Sequence, residues 1–202
     1  MVERPIAVAS AERSHPNETV NGDAWSVAWR GERCRIAVVD GLGHGPAAAE
    51  AAQRALTTLA ARPELALVEA VHECHEALHS TRGAALTIID IDARSMHLSH
   101  VGVGNVEARL WSRVREQRLS PARGIVGNIL PRLQSTELDL PPDGTLVIYT
   151  DGISSRFTLD AMLGEHPPAL PDIAALLLED WSRPTDDATV VIARRSKPLA
   201  GQ

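Results

Sequence analysis

The feature that most constrains this fold is a series of short apolar segments in the second half of the chain. Five of them have the pattern of strands, at residues 85–91, 96–103, 106–111, 136–140 and 146–149. Glycine, proline, aspartate and asparagine separate them. The gaps are too short for the helical crossovers that parallel strands require, so most of the pairing must be antiparallel. Asp143-Gly144 predicts a hairpin turn between the last two strands.

The rest of the chain adds helices and further strands. Residues 46–61 are rich in alanine and begin with Pro46, which is favoured in a first helical turn, so they predict a helix. Helices are also predicted over 65–78 and 173–181, and strands over 24–29, 35–39 and 189–193. Together these elements indicate the α+β class, with sheets stacked in a sandwich and helices packed outside.

Composition and charge exclude several classes of function. The formal net charge is −6 and Lys197 is the only lysine, which argues against nucleic acid as a partner. No apolar run approaches the roughly 20 residues that span a bilayer, and the N-terminus lacks a signal peptide, so no membrane partner is expected. Cys34 and Cys74 have no CxxC spacing, which favours a reduced, cytoplasmic protein. We expect one domain over 1–196 and a flexible tail over 197–202.

Acidic residues stand where the predicted strands begin or end. Asp40 and Asp151 each follow a buried strand and precede a glycine, whereas Asp23 and Asp186-Asp187 come just before a strand. Antiparallel neighbours bring the end of one strand beside the start of the next, so these aspartates can share one rim of the sandwich. Crowded carboxylates repel one another, and hard divalent ions such as Mg²⁺ or Mn²⁺ relieve that repulsion. A lone Asp-Gly is usually only a turn, so the whole set carries the prediction.

These aspartates lie in segments that resemble the signature sequences of a known family, the bacterial type-2C (PPM) protein phosphatases of the SpoIIE branch. The four main segments are Asn21-Gly22-Asp23-Ala24-Trp25, Val38-Val39-Asp40-Gly41-Leu42-Gly43-His44-Gly45, Tyr149-Thr150-Asp151-Gly152-Ile153 and Thr185-Asp186-Asp187-Ala188-Thr189-Val190-Val191. Gly83-Ala84-Ala85-Leu86-Thr87 and Gly102-Val103-Gly104-Asn105-Val106-Glu107 are also similar to that branch, especially to its short single-domain members of the RsbX type. The resemblance extends over residues 17–194.

The resemblance implies a four-layer αββα sandwich of two antiparallel sheets with two Mn²⁺ or Mg²⁺ ions at one end. The ions would activate water to hydrolyse phosphoserine or phosphothreonine in another protein. By motif position, Asp40 would bridge both ions, Gly41 would contribute its carbonyl, and Asp151 and Asp186 would hold the second ion. Asp23 would bind a metal-bound water or support the other ligands, so Asp23 and Asp40 are also expected to be catalytic.

The resemblance also implies supporting residues and substrates. Asp187 would orient its loop, and Gly152 is a further supporting position. The implied substrates are phosphorylated STAS-domain proteins of a stressosome-like or anti-sigma-factor switch. Many relatives carry an acidic residue where this chain has Gly22, which predicts weaker binding of the second ion. Relatives outside the branch use an upstream arginine to bind phosphate, and Arg13 lies in roughly that region.

His44 is a candidate proton donor to the leaving group, because a histidine titrates near neutral pH and its loop leads into a helix N-terminus. The alternative is that Gly43 and Gly45 only permit a tight turn and His44 is solvated. Two other functions compete with the phosphatase. A catalytically weak relative could act mainly by binding a signalling partner. His75-Glu76-Ala77-Leu78-His79 matches the HExxH signature of zinc peptidases, although an amphipathic helix with His75 on its core side is the stronger explanation.

Overall fold

Thirteen helices and strands are found in the part of the chain that a computed structural model describes, residues 4–160, 163 and 167–196. In chain order they are β1 (Ile6–Arg13), β2 (Asp23–Arg30), β3 (Arg33–Gly41), α1 (Pro46–Ala61), α2 (Leu67–Leu78), β4 (Ala84–Asp92), β5 (His97–Val103), β6 (Glu107–Trp111), β7 (Glu116–Leu119), β8 (Thr136–Asp139), β9 (Thr145–Tyr149), α3 (Leu170–Trp181) and β10 (Ala188–Arg195). The tail predicted over 197–202 lies outside the described residues.

The strands form two five-stranded sheets, and every pairing is antiparallel. The first sheet has the order β1-β10-β9-β6-β7, and the second has the order β2-β3-β4-β5-β8. The antiparallel pairing expected from the short connections is therefore confirmed. Each sheet combines segments from distant parts of the chain, so an end of either sheet can gather residues that are far apart in sequence.

Three apolar clusters hold the layers together. Between the sheets, Val38 and Ile89 of the second sheet pack with Leu110 and Ile148 of the first. The other face of the second sheet is covered by α1 and α2, and the other face of the first sheet is covered by α3. Each large aliphatic side chain buried in this way contributes about 1.5–3 kcal/mol. The predicted four-layer αββα sandwich is therefore confirmed.

Helix α1 has the bounds that its sequence predicts, and its buried face is built from alanines. Ala48, Ala51, Ala52 and Ala55 are fully buried, and their short side chains allow the helix to approach the second sheet closely. The closest approach is at Gly41, where an added Cβ would collide with the Ala48 carbonyl. Among the described residues, no helix has both the length and the apolar character needed to cross a membrane.

Two strands are not predicted by the sequence pattern. β1 consists mainly of small residues without clear alternation, and it is held by pairing along its whole length with β10 at the other end of the chain. β7 is a polar edge strand in which only Leu119 is buried. β1 depends on a partner that is distant in sequence, and β7 lies on an exposed edge. Neither situation leaves a strong hydrophobic periodicity in the sequence.

The predicted hairpin at Asp143-Gly144 is wrong. The turn itself forms, because the Gly144 N–H donates to the Pro141 carbonyl at 2.9 Å. However, β8 pairs with β5 in the second sheet, whereas β9 pairs with β6 and β10 in the first. Pro141 and Pro142 cannot donate ladder hydrogen bonds, so they end the first strand, and the turn carries the chain across to the other sheet.

Candidate metal centre

The register of β2 and β3 fixes the first pair of carboxylates. Asp23 begins β2 and lies directly opposite Asp40, near the end of β3. Directly paired residues in an antiparallel ladder project from the same face, so the two side chains are neighbours. Beyond them the Gly41 N–H donates to the Gly22 carbonyl at 3.1 Å. Gly41 follows Asp40 where α1 leaves no room for a side chain, because an added Cβ would collide with the Ala48 carbonyl.

The first sheet supplies the other aspartates of the same rim. Asp151 follows β9, and Asp186 and Asp187 precede β10, the adjacent strand. Thr150 links these strands to Asp23. Its hydroxyl accepts from the Thr189 N–H at 3.0 Å and donates to an Asp23 carboxylate oxygen at 2.8 Å. This hydrogen bond crosses from one sheet to the other and brings both halves of the site to one end of the sandwich.

Burial and, to a lesser extent, mutual repulsion raise the pKa values of these carboxylates. Burial raises the pKa of Asp40 to about 8, and the negative charges of Asp23, Asp151 and Asp186 add to the increase. Burial likewise raises the pKa of Asp23 to about 7, although the hydrogen bond from Thr150 works against it. The pKa of Asp186 is also raised, first by burial and then by Asp151. At neutral pH the rim therefore cannot hold all its charges without protons or cations.

The oxygens of the rim fit hard divalent cations. Asp187 is only 3% exposed, and its Oδ1 accepts from the His15 N–H at 2.8 Å. Its Oδ2 is buried without a hydrogen-bond partner among the described residues. The Asn105 side-chain amide donates to Asp151 at 2.7 Å and orients that carboxylate. Buried, acceptor-only oxygens that repel each other are the ligands that Mg²⁺ and Mn²⁺ favour.

Gly22 leaves no space for an acidic side chain at this position. A Cβ at this position would lie 2.7 Å from Asp187 Oδ2 and 3.0 Å from the Ala48 Cβ. The space beside Asp23 is therefore filled by Asp187, which reaches it from the other sheet. Gly152 is packed as closely, because a Cβ there would collide with the Asp187 carbonyl. Both glycines allow the loop of Asp186 and Asp187 to approach the rim.

His44 lies in the loop that joins Gly41 to α1, with about half of its side chain exposed. Its Nδ1 is 2.6 Å from Glu18 Oε1, and its ring stacks on His15 with a centroid distance of 4.4 Å. The His15 backbone is in turn bonded to Asp187, so the two histidines are tied to the rim. Glu18 and His15 were not predicted as site residues, because residues 14–22 have no strand or helix periodicity.

Two arginines lie near the rim. Arg13 is at the end of β1 opposite Ala188, and its guanidinium donates to the Arg183 carbonyl at 2.5 Å. Arg82 was not predicted. Its Nη1 is 2.9 Å from the position that a Cβ on Gly43 would take, and the adjacent Gly83 carbonyl accepts from the Leu42 N–H at 3.0 Å. Within the described part of the chain, the Arg82 side chain has no hydrogen bond or ion pair.

The HExxH segment does form a compact group, but its hydrogen bonds argue against zinc. Among the described residues, His75, Glu76 and His79 are the one trio whose possible ligand atoms all lie within 4.8 Å of one another. His75 Nδ1 accepts from the Gly127 N–H at 3.0 Å, so in the neutral ring Nε2 carries the hydrogen and offers no lone pair. His79 Nδ1 is 3.0 Å from the Gly127 carbonyl. The two histidines therefore clamp the Gly127 backbone onto α2, and the zinc-peptidase hypothesis has no support.

Comparison with known proteins identifies the family. A family model described as Stage II sporulation protein E (SpoIIE) matches residues 30–196, a range that includes Asp40, Asp151 and Asp186. The chain belongs to this family, and the resemblance to PPM phosphatases of the SpoIIE branch is confirmed. A search of curated protein sequences found no significant match.

Solved structures agree with this assignment. A chain from a structure of the bacterial stressosome, described as a modular system adapted to control secondary messenger signaling, is 28% identical with a TM-score of 0.88, and the alignment covers 94% of this chain and 99% of that one. RsbX in complex with magnesium is 20% identical with a TM-score of 0.84, covering 95% and 96%. The catalytic domain of the serine/threonine phosphatase PstP with two manganese ions is 17% identical with a TM-score of 0.69, covering 95% and 99%. The last two likenesses establish the fold.

Proposed function

We propose that the protein is a metal-dependent phosphoserine/phosphothreonine protein phosphatase. The observation that carries this proposal is the rim where Asp23 and Asp40 of one sheet meet Asp151 and Asp186 of the other. The raised pKa values of Asp23 and Asp40 support divalent cations at this rim. The magnesium in RsbX and the two manganese ions in PstP support a centre of two Mn²⁺ or Mg²⁺ ions here.

We assign to the rim residues the roles that the family resemblance implies. Asp40 lies among the other carboxylates and would bridge two ions, with the Gly41 carbonyl as a further ligand. Asp151 and Asp186 would hold the second ion. Asp23 would hold a water molecule or support the ligands, and Thr150 fixes its orientation. Asp187 and Gly152 would support the loop between them, and Asn105 would align Asp151.

Hydrolysis needs an activated water and compensation for the charge on phosphate. Bound divalent ions supply Lewis acidity and lower the pKa of coordinated water. The contribution of the chain is to position its oxygens before the substrate arrives, since buried, oriented ligands need little reorganisation. His44 is linked to the rim through His15, and Glu18 lies against its Nδ1. When both ring nitrogens are protonated, the Nε2–H would pass its proton to the departing serine or threonine oxygen and leave a neutral ring hydrogen-bonded to Glu18.

Phosphate oxygens that do not reach the ions need another cation. Arg82 is the better placed of the two arginines near the rim, because its guanidinium lies beside Gly43 and has no other partner among the described residues. The Arg13 guanidinium already donates one N–H to the Arg183 carbonyl, which holds it beside that residue. A guanidinium matches the geometry of phosphate and would hold it against the rim.

The biological setting follows from the relatives. The stressosome and RsbX structures support a phosphorylated signalling protein as substrate, and we propose one of the STAS-domain type. We place the phosphatase in the cytoplasm, because both cysteines are free and buried, as is usual in a reducing compartment. We assign the whole catalytic unit to one domain over residues 1–196.

Turnover of a phosphoserine peptide tests the proposal. With Mn²⁺ present, the wild-type protein should release phosphate, and EDTA should abolish the reaction. Asp40→Ala and Asp151→Ala should each lower kcat by at least about 100-fold, because each removes a proposed metal ligand. Asp92→Asn, at the opposite end of β4, is the matched control and should keep wild-type turnover. Activity that survives EDTA, or that neither alanine substitution lowers, would refute the assignment.

A further inference from the structure

A groove of about 460 Å³ opens beside the metal centre. It shares Asn105 and Asp151 with the rim, and it is also lined by Ser120 and three arginines, Arg118, Arg123 and Arg183. Its volume lies in the range of sites that bind ligands or short peptide segments. The groove therefore begins at the rim, where phosphate would be hydrolysed, and extends beyond the rim.

The charge of this groove is positive on a chain whose formal net charge is −6. Arg123 and Arg183 are exposed, and among the described residues neither side chain has a hydrogen bond or an ion pair. Arg118 is 3.3 Å from Glu116 and is partly neutralised. Of the residues that the structure describes, Glu107 is the one carboxylate that lines the groove outside the rim. It accepts from the Tyr149 hydroxyl at 2.5 Å and lies 3.6 Å from the buried Arg109 guanidinium, so its charge is already partly neutralised.

Both unpaired arginines stand on backbone that is firmly held. The Arg183 N–H donates to the Gly152 carbonyl at 2.7 Å, so this residue is fixed beside the Asp151 turn. Arg123 follows Ala122, whose N–H donates to the Gly102 carbonyl and whose carbonyl accepts from the Gly104 N–H, both at 2.9 Å. These hydrogen bonds place both arginines at defined positions relative to the rim, as a recognition site requires.

We infer that this arginine groove binds acidic side chains that flank the phosphorylated residue of the substrate protein. The inference rests on the proposed phosphatase function and adds the recognition of sequence around the phosphosite. The phosphate itself would occupy the rim, and an aspartate or glutamate a few residues away would pair with Arg123 and Arg183. Such pairing favours acidic substrates because two unpaired arginines line the groove on backbone that is held by hydrogen bonds.

The test compares two decapeptides that share a central phosphoserine, one flanked by aspartates and the other by asparagines. With Mn²⁺ at low salt, the wild-type protein should show about 10-fold higher kcat/KM for the acidic peptide, mainly through KM, as expected for two exposed ion pairs. In the Arg123→Gln/Arg183→Gln double variant this ratio should fall close to one. Arg94→Gln, in the turn that follows β4, is the matched control and should keep the wild-type ratio.

Charge reversal and binding complete the test. Arg123→Glu alone should favour the neutral peptide, and about 0.5 M NaCl should weaken the wild-type preference by screening. A wild-type protein without preference, or a double variant that retains it, would overturn the inference. Fluorescence anisotropy of the labelled peptides measures binding without turnover. If neither peptide is hydrolysed, the phosphatase proposal fails, while selective binding of the acidic peptide that is lost in the double variant still supports the groove.

Discussion

Replacing Asp40 with asparagine should make the metal-free protein more stable, although the same change should abolish activity. Asparagine keeps the shape of the side chain and is neutral at every pH, so it can occupy the crowded rim without taking up a proton. Burial and the charges of Asp23, Asp151 and Asp186 raise the pKa of Asp40 from 3.8 to about 8 in the folded protein. The folded state therefore holds a proton at this residue that the unfolded state has already released at neutral pH.

The sign and the size of the effect follow from this difference. Because the folded pKa is the higher one, the folded state binds more protons, and stability falls as the pH rises from about 4 to about 8. At pH 7 the unfolded Asp40 is about three pH units above its own pKa, and each unit corresponds to about 1.4 kcal/mol. Because part of the increase in the pKa of Asp40 comes from Asp23, not all of this free energy belongs to Asp40 alone. We therefore expect Asp40→Asn to increase the free energy of unfolding at pH 7 by about 2–4 kcal/mol. For a chain of this size, that raises Tm by about 5–15 °C.

Thermal unfolding in EDTA between pH 4 and pH 8 measures the prediction. The Tm of Asp40→Asn should match the wild type near pH 4 and exceed it increasingly toward pH 8. Excess Mn²⁺ should reverse the order, because only the wild type gains the free energy of metal binding. Asp92→Asn is the control, since this exposed carboxylate has a lowered pKa from backbone hydrogen bonds and gains nothing on neutralisation. An Asp40→Asn protein no more stable than wild type at pH 8 in EDTA would show that the carboxylates are not crowded.

Three further substitutions test separate parts of the site. Gly152→Ala should lower the free energy of unfolding by about 1–3 kcal/mol, and Tm with it, because the new methyl group collides with the Asp187 carbonyl. An unchanged melting curve would contradict this packing. Arg82→Gln should raise KM for p-nitrophenyl phosphate by about 10-fold with little loss of kcat, and a normal KM would remove Arg82 from phosphate binding. His44→Gln should slow phosphoserine peptides by about 100-fold or more and p-nitrophenyl phosphate far less, since nitrophenolate leaves without a proton; equal losses would exclude a proton donor.

Strand ends explain why the aspartates of the site could be predicted. Asp40 and Asp151 directly follow continuous apolar runs, and such runs mark the ends of buried strands without knowledge of the partners. The order of the chain then requires antiparallel pairing, which brings Asp23 opposite Asp40. Local pattern and short connections were sufficient for the fold class and for the position of these carboxylates at the rim.

Contacts between distant segments could not be predicted in the same way. Thr150 belongs to a recognisable segment, but its hydrogen bond to Asp23 depends on how the two sheets stack. Arg82 precedes β4 and resembles any surface arginine until α1 and the loop of Gly43 are placed beside it. The wrong hairpin at Asp143-Gly144 has the same origin, because a turn signal does not say whether the following strand stays in the same sheet.

The division of the rim between two sheets links metal binding to folding. Neither sheet alone holds enough carboxylates for two ions, since Asp23 and Asp40 belong to the second sheet and Asp151 and Asp186 adjoin strands of the first. Only the stacked sandwich brings them together, at the cost of burying charges that repel. Ions that bind the folded state and not the unfolded chain must then stabilise the stacking itself. We therefore expect the same carboxylates to weaken the sandwich without metal and to join its two halves when metal is bound.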